Sequence, residues 1–318
     1  MNDTSNATRL RVIAFPGAPN LPIFAAQEMA FFAERGLEVD LATTPSSVFQ
    51  FEKLAAGEFD LAMTAFDNVV AYREGQGAVE LGGAADFCVL MGATQIELAF
   101  VVEPGIERYA DLKGRSLALD ALATGFAFVL YEMLARGGLE RGDCELVPVG
   151  ATPDRWQSVR DGVHAGTLTI EPFTSLARAA GFQVLERSTD LFDAYQGGVV
   201  AARRTRVEHN RPAVRAYLEG YLAGLDWTRT PENRTEAARL LMSRMPAIRP
   251  GVVDAVMDSL LSPRTGLTPD GAVLRDGMET VLALRSRYGG GAALEDVERY
   301  LELACYDEAL AARRAATR

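Results

Sequence analysis

Two carboxylates stand at matching places in two similar stretches of this chain. Asp67 lies seven residues after Asp60, and Glu171 seven residues after His164. Each follows a short apolar run that reads as a strand, Leu61-Ala62-Met63 and Gly166-Thr167-Leu168. A carboxylate at such a strand end can accept hydrogen bonds from a bound molecule. Asp67 can equally cap the helix that starts near Val69, and Glu171 can pair with Arg155 or Arg178. A third candidate is Thr124-Gly125 at the start of a helix-like run, which offers a hydroxyl and free backbone N–H groups to a carboxylate, a sulfonate or a ring acceptor. In the loop Pro16 to Leu21, Asn20 supplies both a donor and an acceptor, while Gly17 and Pro19 shape the backbone. Phe66 can stack on an aromatic ligand or fill core. The candidate ligand-binding set is Pro19, Asn20, Leu21, Phe66, Asp67, Thr124, Gly125, Phe126, Glu171 and Phe173. The four loops hold Asp67, Asp120 and Glu171 but no Lys or Arg. That balance favours a neutral or donor-bearing ligand, such as an amino-substituted heteroaromatic ring or an amide, unless Arg155 or Arg178 swings in.

These residues are carried by a unit that occurs twice. Leu10 to Phe15 reads as a strand, Pro16 to Pro22 as a loop, and the next run as a helix closing on Gly36 before a second strand. Ser116 to Asp120, Ala121 to Gly125, Phe126 to Arg136 and Cys144 to Val149 repeat that order. Each copy continues with a glycine-terminated helix and a third strand, so the spacing predicts two β-α-β-α-β lobes with a cleft between them. In such open α/β sheets ligands bind beyond the carboxyl ends of the strands. The expected division is a disordered tail over 1–9, a first lobe built from 10–101 and 200–318, and a second lobe over 102–199. Strand-like segments near 101 and 199 are expected to form a two-strand hinge. Beyond Arg203 the pattern is helical, with Val214, Tyr217, Leu218, Tyr221, Leu222 and Leu225 on one face. That bundle is expected to pack on one lobe.

Composition narrows the functions. A net charge of −11 argues against a nucleic-acid binder, since phosphate neutralisation needs clustered Lys and Arg. No apolar run approaches the roughly 20 residues that span a bilayer. Cys88, Cys144 and Cys305 are too far apart for a metal-ligand pattern and read as buried thiols. No metal or cofactor is expected. The start of the chain, Met1 to Thr8, is short and polar. It fits either a cytoplasmic protein or a periplasmic one whose leader is missing from the sequence.

Taken in order, Asn20-Leu21-Pro22-Ile23-Phe24-Ala25-Ala26, Phe31-Phe32-Ala33-Glu34-Arg35-Gly36-Leu37-Glu38-Val39, Leu54-Ala55-Ala56-Gly57-Glu58-Phe59-Asp60-Leu61-Ala62, Asp111-Leu112-Lys113-Gly114-Arg115 and Glu171-Pro172-Phe173 resemble a known family. It is the type 2 periplasmic-binding-protein fold, in the branch of sulfonate, nitrate, taurine and thiamine-pyrimidine-precursor binders (NMT1/THI5-like). The resemblance covers roughly residues 10 to 245. It implies two Rossmann-like lobes with a helical C-terminal extension, a monomer that closes on a small molecule, and an ABC transporter permease as partner if the protein is exported. One departure is Gly162-Val163-His164-Ala165-Gly166, where the family usually has Gly-x-x-Asp-Ala. Enzymes also occur on this fold, so a cytoplasmic decarboxylase, desulfinase or pyrimidine-synthase-like enzyme is the alternative. His164 and His209 are the only histidines, and both read as structural or surface residues.

Overall fold

The computed structural model describes residues 7–82 and 86–316. Ten strands alternate with six α-helices through the first two-thirds of the described chain, and six more helices fill the remainder. The first half contains β1 (Thr8–Ala14), α1 (Leu21–Glu28), β2 (Leu37–Thr43), α2 (Ser47–Ala55), β3 (Leu61–Ala65), α3 (Phe66–Arg73) and β4 (Phe87–Thr94). The second contains β5 (Ala99–Val102), β6 (Ser116–Leu119), α4 (Gly125–Arg136), β7 (Glu145–Pro148), α5 (Thr152–Arg160), β8 (Gly166–Thr169), α6 (Phe173–Ala179) and β9 (Gln183–Arg187). Strand β10 (Gly198–Arg203) precedes α7 (Arg204–His209), α8 (Arg211–Arg229), α9 (Arg234–Arg244), α10 (Pro250–Leu261), α11 (Arg275–Tyr288) and α12 (Ala304–Ala316).

The strands form two five-stranded sheets with the same plan. One has the order β2-β1-β3-β10-β4 and the other β7-β6-β8-β5-β9. In each, three strands of the repeated unit run parallel, and the fourth position is taken by an antiparallel strand borrowed from the far side of the repeat. The borrowed strands are β10 in the first sheet and β5 in the second. Helices cover both faces, which is why β4, β5 and β8 are buried along their whole length.

Several boundaries differ from the sequence reading. Ala99–Val102 lies wholly inside the second sheet, so the chain crosses between lobes at 95–98 and 188–197 rather than near 101 and 199. Strand pairing, which consumes every backbone donor of an interior strand, decides membership, and apolar character alone does not. Thr8 and Arg9, placed in the disordered tail, pair with Leu37 and Glu38 in the first sheet. The first six residues lie outside the described residues. Helix α1 stops at Glu28 rather than at Gly36, and Ala30 takes a left-handed conformation (φ 60°). That turn lets Phe32 stack on Tyr217 of α8 at 5.3 Å. A short 3-10 turn then ends on left-handed Gly36.

The predicted apolar face of α8 is buried in full against α1 and the first sheet. Each of its large side chains contributes roughly 1.5–3 kcal/mol by leaving water. The C-terminal helices are not confined to one lobe, however. The α11 side chains Arg287 and Tyr288 bind Glu132 of α4 at 2.6 and 2.7 Å, and the Tyr288 ring packs against Phe128 and Tyr131. Arg264, after α10, donates to the Thr189 carbonyl at 2.8 Å. Amphipathicity showed that these helices bury a face, but it carries no information about which surface receives it.

Candidate functional site

The carboxyl ends of β1, β3, β6 and β8 meet across the gap between the sheets, and a cavity lies there. It holds about 790 Å³ of empty space, its mouth included, and residues of both halves line it. Most of the wall is apolar, with Phe15, Met63, Ala65 and Val199 from the first lobe, Phe126 and Ile170 from the second, and Ile96 from the crossing segment. The polar part consists of Asn20, Thr64, Asn68, Thr94, Asp120, Thr124, Thr152 and Arg155.

The lobes touch around this cavity. The Ala18 N–H donates to the Glu171 carbonyl at 3.1 Å, and the Ala151 N–H donates to the Pro45 carbonyl at 2.8 Å. A third bridge runs from the Ser47 N–H, at the start of α2, to the Asp120 carboxylate at 3.2 and 3.3 Å. Glycine permits the second of these approaches and one further contact between the lobes. A Cβ on Gly150, which has φ +116°, would sit 2.9 Å from the Pro45 carbonyl oxygen. A Cβ on Gly125 would sit 2.6 Å from Cβ of Asp67 on the opposite lobe.

Of the ten residues proposed from sequence, five line the cavity: Pro19, Asn20, Thr124, Gly125 and Phe126. Asn20 donates to the Phe15 carbonyl at 2.7 Å, which fixes its amide and leaves its carbonyl oxygen as an acceptor. Thr124 is the N-cap of α4: it accepts from the Ala127 N–H and donates to the Ala121 carbonyl. Its hydroxyl is therefore committed locally, and what the helix offers a ligand is the N–H groups of Gly125 and Phe126. As the first two residues of α4, these have no intrahelical acceptor.

The other five do not line it. Leu21 is fully buried in the core against α8, and Phe66 is fully buried edge-on to Tyr300 at 5.7 Å. Phe173 packs behind the second sheet with Val101, Trp156 and Val159. Asp67 is sealed in a bidentate pair with Arg285 of α11, at 2.7 and 2.6 Å, with both side chains essentially inaccessible. The same guanidinium donates to the Ala123 carbonyl of the second lobe and lies over the Phe128 ring. Glu171 lines a small annex next to the cavity, whose polar side chains include Glu97, Ser259 and Thr265 and whose apolar ones include Ile96, Ile170 and Leu260. Its carboxylate accepts from the Ser175 hydroxyl and N–H at 2.9 and 3.3 Å, rather than pairing with Arg155 or Arg178. Burial pushes the Glu171 carboxyl up to about 6, although the Ser175 hydrogen bonds oppose that rise.

Arg155 is the residue that the sequence reading left outside the set. It enters from α5, is 1 % exposed, and lines the cavity as its one cation. Its two terminal nitrogens donate to the hydroxyls of Thr167 (3.3 Å) and Thr152 (2.8 Å), while its Nε is buried without a partner. Burial pulls its pKa down to about 10, countered by Asp120, so it stays charged at neutral pH. This removes the premise that no cation faces the cleft. The signal was available, because the loop after β7 also opens a helix at a strand's carboxyl end, with Thr152 and Arg155 on its first turns. Applying the same rule to that fifth loop would have found it.

Among the described residues no group of three or more His, Cys, Asp or Glu could hold a metal ion, and no helix is long and apolar enough to cross a membrane. The three cysteines are free and buried, and none of them lines the cavity. His164 approaches the Ser116 hydroxyl at 3.0 Å at the other end of β6, and His209 is exposed.

The whole-chain shape has solved relatives. A protein of Bordetella bronchiseptica RB50 superposes with a TM-score of 0.79 at 21% identity, covering 96% of this chain and 98% of that one. The periplasmic nitrate-binding protein NrtA of Synechocystis PCC 6803 gives 0.77 at 15% identity, covering 98% and 89%. The alkanesulfonate-binding protein SsuA of Xanthomonas axonopodis pv. citri, solved bound to MOPS, gives 0.71 at 16% identity, covering 90% and 93%. No curated protein sequence compared with the chain matches it. The sequence profile of the NMT1-like family matches residues 3–242, which include every strand of both sheets and the whole cavity wall. The chain therefore belongs to the NMT1-like family, on the two-lobed type 2 periplasmic-binding-protein fold.

Proposed function

We propose that this protein is the solute-binding component of an ABC importer, and that it encloses a small organic acid with an apolar body between its lobes. The observation that carries this reading is Arg155. A guanidinium held out of water with an unpartnered Nε is costly unless an anion completes it. The Gly125 and Phe126 N–H groups at the positive end of α4 face the same cavity and favour the same charge. The apolar wall then takes the rest of the molecule, and the few polar contacts fix its orientation. A nitrate-binding and an alkanesulfonate-binding protein share this fold, which agrees with an anionic ligand. Delivery to a permease places the protein in the periplasm.

The test is isothermal titration of the purified protein with a panel of carboxylates, sulfonates and their neutral amides, bearing aliphatic or aromatic bodies. At least one is expected to bind. Arg155→Met should then weaken it by about 10- to 100-fold, the worth of a charge-assisted hydrogen bond to a buried cation. Unchanged affinity in that variant, or binding confined to neutral compounds, sinks the reading.

A further inference from the structure

The cavity wall carries one cation and one carboxylate, Arg155 and Asp120, and they do not pair. Each is held back by other partners. The two terminal nitrogens of Arg155 are tied to the hydroxyls of Thr167 and Thr152, and Thr167 is in turn anchored on the Ala118 carbonyl in β6. Asp120, at the end of that same strand, is drawn across the gap to the Ser47 N–H at the positive end of α2. The two charges feel one another, since Asp120 raises the Arg155 pKa against the effect of burial. No ion pair closes between them, and Arg155 Nε keeps no partner.

We infer that Asp120 and Arg155 form a two-pole head-group site for an amino-acid-like zwitterion, with the acid group on Arg155 and the α4 N-terminus and the ammonium on Asp120. This rests on the function proposed above and narrows its ligand class. The charges decide it. The wall as it stands is neutral, with one positive and one negative group. A plain monoanion would leave a net negative charge in a closed cavity, next to a carboxylate that repels it. A zwitterion leaves the cavity neutral and gives each wall charge an opposite partner. Because both wall charges belong to the second lobe, at the ends of β6 and the start of α5, the ligand's two poles must lie close together. Its apolar part then projects toward Phe15, Met63 and Val199 of the first lobe.

Matched probe triplets test this by titration of the full chain: hydrocinnamate, phenethylamine and phenylalanine; isocaproate, isoamylamine and leucine; propionate, ethylamine and β-alanine. In at least one triplet the zwitterion should bind about 10-fold or more tighter than its acid, as one charge-assisted hydrogen bond provides. Asp120→Asn, which keeps an acceptor for Ser47, should erase that margin and tighten the plain acid. If acids bind and the amine adds nothing in any triplet, the two-pole site is wrong while the acid-binding function stands. A margin that survives Asp120→Asn also overturns it. Failure of every acid and zwitterion to bind overturns the proposed function and this inference together.

Discussion

Asp67 and Glu171 occupy matching positions in two lobes of the same topology, yet their surroundings are opposite. Asp67 begins α3, faces Arg285 from a helix 218 residues away in sequence, and is lost to the solvent. Glu171 follows β8 beside a small annex, its carboxylate has only Ser175 as a hydrogen-bond partner, and burial raises that carboxyl to about 6. The first lobe thus spends its carboxylate on structure. Arg285 joins Asp67 to the Ala123 carbonyl and the Phe128 ring of the second lobe, so α11 ties the lobes together behind the cavity. The charges that face the cavity, Asp120 and Arg155, all belong to the second lobe. A repeat in sequence reproduces a backbone, while the third element packed against it decides what a repeated side chain does.

The comparison is open to direct attack. The largest effect is expected from Arg285→Met, which leaves Asp67 buried without a counter-charge and should cost about 3–5 kcal/mol in urea denaturation. Adding Asp67→Leu to that variant should recover most of the loss, because a buried pair exchanged for apolar groups is close to neutral. A single-variant cost below about 1 kcal/mol would mean that Asp67 is no more locked than Glu171.

Next comes Gly125→Ala. Its new Cβ meets Asp67 at 2.6 Å, so α4 must shift from α3 at about 1–3 kcal/mol. The Gly125 and Phe126 N–H groups move with it, and acid probes should bind more weakly even though Arg155 is intact. Normal stability with normal binding would show that the lobes do not need this close contact.

The smallest effect concerns Glu171. Its folded pKa, about 6, lies above the ordinary 4.5. The folded state therefore holds the proton more tightly between those values, and stability falls as pH rises from about 4.5 to 6. After allowance for its partial exposure, the contribution is about 1–2 kcal/mol. The difference in denaturation midpoint between the native protein and Glu171→Gln should widen across that window and stay constant above it. A flat difference would place Glu171 with Asp67 as a settled structural group.

Much of the site could be read before the fold was known. The loops after β1, β3 and β6 were placed by the alternation of apolar runs with Gly, Pro and small residues, and five candidates from the first and last of them line the cavity. The misses share a cause. Phe66, Leu21 and Phe173 stand beside lining residues, but their side chains point into cores, because direction around a helix turn is set by what packs there. Arg155 was named only as a candidate partner of Glu171 or a cation able to swing in, because the sequence does not show that the surrounding sheet and helices bury it in the cavity wall. The lobe crossings slipped by several residues because strand-like sequence is the same whichever sheet accepts it.

By itself, the sequence determined the two-fold unit, the order of its strands and helices, and the loops at the strands' carboxyl ends, since these follow from local periodicity and from glycine and proline. Only the tertiary structure decided which charges meet. Asp67 found Arg285, while Asp120 and Arg155 stayed unpaired in the wall of one cavity. Electrostatic pairing depends on distance and burial, and both are settled by packing between segments that are remote along the chain.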